Sequence, residues 1–195
     1  MLNLWASDKP AAWRAALDRY EHIIAMQGVT RLPELDAWYR KELPKAIGKR
    51  RIPHVTHDEL VKLTEWKMKR GVWRARNLVL VRGNPDDTVV ETSTAALAKI
   101  PHPTGPIAGL AKLDGVGPAT ASAVAAAVAP DVYPFFDEIV AAQVPGLGKV
   151  AFTMGYYGRY ADALRGRASD LGRGWTPSGV EQALWSNAGG KAGAA

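Results

Sequence analysis

Three observations predict an all-α fold. Apolar residues recur at helical spacing along nearly the whole chain, Pro and Gly fall where such stretches begin and end, and no stretch alternates convincingly with period 2. The pattern leads us to expect roughly eight to ten short helices, in keeping with ordinary helix lengths. Residues 1–188 form one all-α unit in this reading, and 189–195, rich in Gly and Ala, are expected to be a disordered tail.

The elements follow in order. Asp8 is positioned to cap a first helix with Pro10 in its first turn; Trp13, Ala16, Leu17, Tyr20, Ile23 and Ile24 share one stripe of it, and it stops before Gly28. A second helix starts near Pro33 and runs through Leu35, Trp38 and Tyr39 until Pro44. Thr56 and Glu59 form a capping-box pair for a third, which ends at Gly71. Residues 74–81 make a short apolar helix or turn closed by Gly83-Asn84. The next helix opens with Pro85, Asp86 and Asp87, has Lys99 in its last turn, and buries Val89, Val90, Leu97 and Ile100 with Ser93 on the same stripe. Two helices then flank residues 113–117. A short helix follows Asp137, a longer one runs from Thr153 to Gly172, and Thr176-Pro177 opens the last, carrying Val180, Ala183 and Leu184.

The chain has 195 residues and no cysteine, so thiolate metal sites, iron–sulfur clusters, disulfides and cysteine nucleophiles are excluded. The N-terminal residues lack a basic region followed by an apolar run and are not read as a secretory signal, and Ala123–Ala129 is too short to span a bilayer. The expectation is a soluble intracellular protein, monomeric and without a membrane partner. A formal net charge of +6 and a pI near 9.6 favour a polyanionic partner. The basic residues cluster at 45–51, at 67–82 (Lys67, Lys69, Arg70, Arg74, Arg76, Arg82) and at 159–173, although a charge run is most often a solvated face.

The most informative stretch is Leu110-Ala111-Lys112-Leu113-Asp114-Gly115-Val116-Gly117-Pro118-Ala119-Thr120-Ala121. Leu110 and Leu113 end one apolar helix face. Gly115 and Gly117 can take conformations closed to other residues, and Pro118 suits the first turn of a new helix. That second helix is mostly alanine, which permits close helix–helix approach. The product, over 106–129, is a helix-hairpin-helix whose N–H groups around Gly115, Val116, Gly117, Ala119 and Thr120 face outward at a helix start. Such an arrangement holds a phosphate oxygen without reading sequence. A dinucleotide-binding turn would need a preceding strand, and here a helix precedes. A purely structural αα-turn is the competing reading.

These residues resemble the hairpin of the helix-hairpin-helix DNA glycosylase superfamily, which includes endonuclease III, the adenine glycosylase and the alkyladenine glycosylases. Members carry a Leu-Pro-Gly-Val-Gly-like hairpin and then an aspartate after its second helix. Here Leu113-Asp114-Gly115-Val116-Gly117 is followed by Asp137 within Pro134-Phe135-Phe136-Asp137-Glu138. The Schiff-base lysine of bifunctional members falls at Ala119, 18 residues before Asp137, which is the family's interval. The resemblance spans Leu110–Ile139 and implies a two-lobed helical fold, double-stranded DNA as partner, no required cofactor, and an alkali ion on the carbonyls of Ala111, Leu113 and Val116. Ala119 in place of the lysine implies base hydrolysis without lyase activity. Glu138-Ile139 stands where Thr/Ser-His is common, and the chain is short for the family.

On this reading Asp137 is the catalytic carboxylate of base excision, stabilising an oxocarbenium-like sugar and handling the attacking water. Its position also suits an N-cap, and one residue can do both. Trp66, Lys67, Arg70, Tyr133 and Glu138 are the pocket candidates, with Trp66 or Tyr133 lining the place of a flipped base. Lys67 lies on the apolar stripe of its helix, where it either snorkels to solvent or lines a cavity. His54 and His57 are read as helix-start polar residues rather than metal ligands. The main alternative is a non-catalytic DNA-binding protein that kept the hairpin; a third is an all-α protein-interaction domain.

Overall fold

The computed structural model describes residues 3–193. After a 3₁₀ turn at Leu4–Ala6, the helices are α1 (Pro10–Asp18), α2 (Tyr20–Met26), α3 (Leu32–Ala37), α4 (Leu43–Gly48), α5 (His57–Arg70), α6 (Ala75–Arg82), α7 (Asp86–Leu97), α8 (Gly105–Leu110), α9 (Pro118–Val128), α10 (Glu138–Ala141), α11 (Met154–Leu171), α12 (Pro177–Asn187) and α13 (Gly190–Gly193). A π turn at Trp38–Glu42 joins α3 to α4. No strand occurs among the described residues, so the all-α expectation holds. No helix among them is long and apolar enough to cross a membrane.

The capping residues determine several boundaries as the sequence led us to expect. Thr56 accepts from the Glu59 N–H while Glu59 accepts from the Thr56 N–H, a reciprocal box that satisfies two otherwise orphaned donors at the start of α5. Thr153 and Thr176 accept from the N–H groups of Tyr156 and Gly179 and open α11 and α12.

Four boundaries differ from expectation. α7 ends at Leu97, before Lys99, and Val90 and Ile100 are only half-buried. The first helix breaks at Arg19 into α1 and α2, and Lys9 rather than Asp8 precedes it. Asp8 instead points outward to Arg167. The second does not end at Pro44. Pro44 falls in the first turn of α4, directly after the π turn, where the helical ladder is already interrupted and a missing N–H costs little. Residues 189–193 are not a free tail: Gln27 donates to the Gly189 carbonyl and accepts from the Ala192 N–H, and Gly190 is buried. The last two residues of the expected tail lie outside the described residues.

The core is organised around α9. Every residue from Ala119 to Ala127 is buried. This stretch is alanine apart from Thr120, Ser122 and Val124 and projects little beyond Cβ, so α4, α5 and α8 can all pack closely on it. A second set is formed by α12 against α1, α2 and α11, burying Val180, Ala183, Leu184 and Trp185. The chain leaving α9 turns back through residues 129–137 and carries Asp137 to the start of α10, between these two sets of helices.

Candidate active site

The turn between α8 and α9 owes its shape to two glycines with different roles. Gly115 has φ +75°, and a Cβ there would meet the Asn77 carbonyl oxygen at 2.5 Å and Val81 N at 2.9 Å. Only glycine lets this turn sit directly on α6. Gly117 does not need glycine's freedom, contrary to expectation: its φ of −92° and ψ of −180° are ordinary extended backbone, and a Cβ there would meet nothing within 4 Å. Its smallness instead leaves the surface in front of α9 open. Asn84 clamps the turn, donating to the Asp114 carbonyl at 2.9 Å and accepting the Asp114 N–H at 3.0 Å. Gly117 caps α9 without a side chain, and the first intrahelical bond is from Ala121 N to the Gly117 carbonyl. The N–H groups of Gly117, Ala119 and Thr120 therefore have no hydrogen-bond acceptor among the described residues.

These residues form one wall of a cavity of about 350 Å³. Gly117, Pro118, Ala119 and Thr120 contribute the helix start, Phe135, Phe136, Asp137 and Glu138 come from the strap and the start of α10, and Lys67, Gly71, Val72, Arg74, Asn77 and Phe152 complete the lining. The volume falls within the roughly 300–1,000 Å³ usual for ligand pockets. The fold thus brings the α9 start, Asp137, Glu138 and Lys67 to one cavity.

Asp137 is fixed from every side. One carboxylate oxygen, Oδ1, accepts from the N–H groups of Ile139 at 2.8 Å and Val140 at 3.3 Å, capping α10. The other, Oδ2, accepts from Arg70 Nη1 at 3.0 Å. The strap leading to it is held by three side chains. Ser122 on α9 accepts the Phe136 N–H at 2.9 Å, Tyr160 on α11 donates to the Phe135 carbonyl at 2.7 Å, and Tyr157 donates to that of Pro134. Phe136 packs among Phe152, Tyr156, Tyr157 and Tyr160, giving the carboxylate an apolar surround on that side.

Arg70 is a core residue rather than a wall residue of the pocket. It is 1% exposed and bridges Asp137 to Glu181, whose Oε1 it reaches at 2.5 Å, beneath the rings of Trp185 and Phe135. The bridge continues through Glu181 to Arg40 at 3.6 Å and from Arg40 to Asp36 at 3.6 Å. Tyr20 and Trp66 both donate to Asp36. Burial pushes the Glu181 carboxyl up from its ordinary value, against the opposing pull of Arg70 and Arg40.

Trp66 and Tyr133 do not line the cavity. Trp66 is fully buried, stacked on Tyr39 at 3.6 Å between ring centres. Tyr133 is buried with its hydroxyl on the His102 carbonyl. Both are expected from the sequence as aromatic lining for a flipped base; Trp66 on α5 instead faces the core, and Tyr133, in the non-helical strap between α9 and α10, turns its hydroxyl away to His102.

Lys67 lines the cavity, and burial together with Arg74 lowers its pKa from the ordinary lysine value, with Asp137 and Glu138 pulling the other way. Glu138 is exposed. Arg74 and Arg76 are exposed beside Trp73, which is 51% exposed and lies near Lys69. The Leu113 carbonyl, one of the three expected alkali-ion ligands, already accepts the Val116 N–H at 3.1 Å. The rings of His54 and His57 bond the Ile52 and Arg82 carbonyls, and the described residues contain no cluster of three or more His, Asp or Glu able to hold a metal.

A larger cavity, about 920 Å³, opens between α2, α3, the end of α9 and the start of α12. Its polar groups Tyr20, Asp36 and Arg40 are engaged with one another, which leaves less to recognise a ligand there. Ser122, Tyr157, Tyr160 and Glu181 escaped the sequence reading, although Ser122 stands out as the lone serine within the alanine run. Comparison of the chain with family models, with curated proteins and with solved structures finds no match in any of the three.

Proposed function

We propose that the smaller cavity is the active site of a DNA glycosylase that hydrolyses the N-glycosidic bond of a damaged or mispaired base in double-stranded DNA. The observation that carries this reading is the immobilised Asp137 carboxylate in a cavity that is also lined by the start of α9, which no side chain caps. The free N–H groups of Gly117, Ala119 and Thr120 grip a backbone phosphate, and the helix-hairpin-helix sets the distance from that phosphate to Asp137. The flipped nucleotide enters between Phe136, Phe152 and Val72.

Asp137 then faces the oxocarbenium-like sugar as the base departs. Its position is fixed before reaction, so its charge acts without reorganisation. Arg70 does not cancel it, because that guanidinium is shared with Glu181. Glu138, exposed and adjacent, is the carboxylate placed to orient the attacking water. Exposed Arg74 at the cavity, with exposed Arg76 and Arg82 on α6, meets phosphates.

One observation favours a second reading, a DNA-binding protein without catalysis. Both oxygens of Asp137 serve a structural end, one as cap and one as ion-pair partner, so the residue has a reason to be present apart from chemistry. A panel of duplexes carrying deaminated, oxidised, alkylated and mispaired bases, assayed for abasic-site formation, separates the two. The glycosylase reading predicts abasic sites on at least one class; tight binding across the panel with no base release supports the second.

A further inference from the structure

The turn that joins α8 to α9 recurs 31 residues further along the chain, after α10. Leu113-Asp114-Gly115-Val116-Gly117 is matched by Val144-Pro145-Gly146-Leu147-Gly148: an apolar residue, a turn former, then Gly, apolar, Gly. The backbone repeats with it. Ala111, Lys112 and Leu113 donate to the carbonyls of Ile107, Gly109 and Leu110, and Ala142, Gln143 and Val144 donate in the same register to those of Glu138, Val140 and Ala141. Gly115 has φ +75° and Gly146 has φ +78°. Two differences set the second turn apart. Gly148 has φ +71°, where Gly117 is extended, and no helix starts at Lys149. A Cβ at Gly146 or Gly148 would meet nothing within 4 Å, whereas one at Gly115 would strike α6. The second turn is thus bent by its glycines into open space, with no neighbouring helix to pack on.

We propose that residues 146–149 hold a second backbone phosphate of the duplex gripped by the start of α9. The inference rests on the DNA-binding part of the proposed function and needs no catalysis. The N–H groups of Gly146, Leu147, Gly148 and Lys149 make no hydrogen bond among the described residues. Successive free N–H groups on a turn with left-handed residues form a concavity suited to a phosphate oxygen. Tyr156 on α11 donates to the Gly148 carbonyl at 3.4 Å, and across that trans peptide the Lys149 N–H points the other way. The Lys149 side chain adds a cation, exposed and in no ion pair among the described residues. The chain leaves the smaller cavity at Glu138 and lines it again at Phe152, so the turn is tethered to that cavity at both ends. Main-chain donors hold a phosphate whatever the base sequence. One grip leaves the duplex free to pivot; two fix the direction in which it crosses the cavity.

The test titrates the ¹⁵N-labelled protein with a short undamaged duplex and follows the amide chemical shifts. The signals of Gly146, Leu147, Gly148 and Lys149 should move together with those of Gly117, Ala119 and Thr120. Lys149→Gln, a substitution at an exposed side chain that leaves the fold intact, should make the slope of log K against log salt shallower by about 1. Shifts at the α9 start alone, or an unchanged slope in Lys149→Gln, overturn this inference and leave the proposed function standing. Shifts at 146–149 alone uphold it and take the α9 start out of the binding surface. Shifts at neither turn remove this inference and the DNA-binding reading together.

Discussion

At the scale of single residues, the structure changes what a substitution at Asp137 should do. The sequence alone predicts that Asn preserves the cap and the fold. With Oδ2 accepting from Arg70 and Oδ1 from two backbone N–H groups, an amide must direct its NH₂ at one of those donors. Asp137→Asn should therefore cost about 1–3 kcal/mol of stability through the unsatisfied buried donor, and Asp137→Ala more, both read from urea unfolding. Lys67 gives the opposite sign. Its folded pKa is lowered, so the folded state disfavours the protonated amine; the group's contribution is most favourable above the unfolded lysine pKa of about 10.4 and is lost as pH falls through the folded value. Lys67→Met should raise Tm at pH 7, and the gain should vanish as the pH approaches that of free lysine. An unchanged or lowered Tm at pH 7 would place the ammonium in solvent. Asp137 and Lys67 were legible in the sequence because their spacing from the hairpin and their place on a helical stripe are local facts. Their partners were not, since Arg70 lies 67 residues from Asp137 and 111 from Glu181.

At the scale of elements, the α8–α9 turn and α6 form one unit, bound by Gly115 packing on α6 and by Asn84 closing on Asp114. Gly115→Ala should destabilise by roughly 1–3 kcal/mol from its positive φ alone, with the contact on Asn77 added. Gly117→Val should leave stability within about 0.5 kcal/mol, because its backbone is ordinary and the space before it is open. It should weaken duplex binding nonetheless, by covering the N–H groups of the α9 start. Thermal melts and a duplex titration of both variants check this pair; equal affinity for wild type and Gly117→Val would remove the turn from the binding surface. The helices themselves were readable wherever a cap or a glycine stop marked them, as at Thr56, Thr153, Gly172 and Thr176. The break at Arg19 and the passage through Pro44 were not, because a buried cluster of Tyr20, Asp36 and Arg40 and a π turn override the local pattern there.

At the scale of the whole molecule, charge divides into an interior chain and an exterior rim. Asp36, Arg40, Glu181, Arg70 and Asp137 alternate in sign through the core from α3 to the cavity. Arg70→Met should cost about 3–5 kcal/mol, since it leaves the Asp137 carboxylate without its ion pair and Glu181 with Arg40 alone at 3.6 Å. Sequence clustering alone had placed Arg70 with the surface cations of 67–82; only the fold separates it from exposed Arg74, Arg76 and Arg82. If those three and Lys69 each meet a phosphate, log K for duplex DNA should fall with log salt at a slope of about −3 to −4. The most direct test of the central claim is single-turnover base excision on the lesion panel by wild type, Asp137→Asn and Glu138→Gln, each at a temperature where unfolding data show the variant folded. The account predicts base release by wild type on at least one lesion class and a loss on the order of 10²–10³ in rate for Asp137→Asn, with duplex affinity kept. Full excision by folded Asp137→Asn would contradict it.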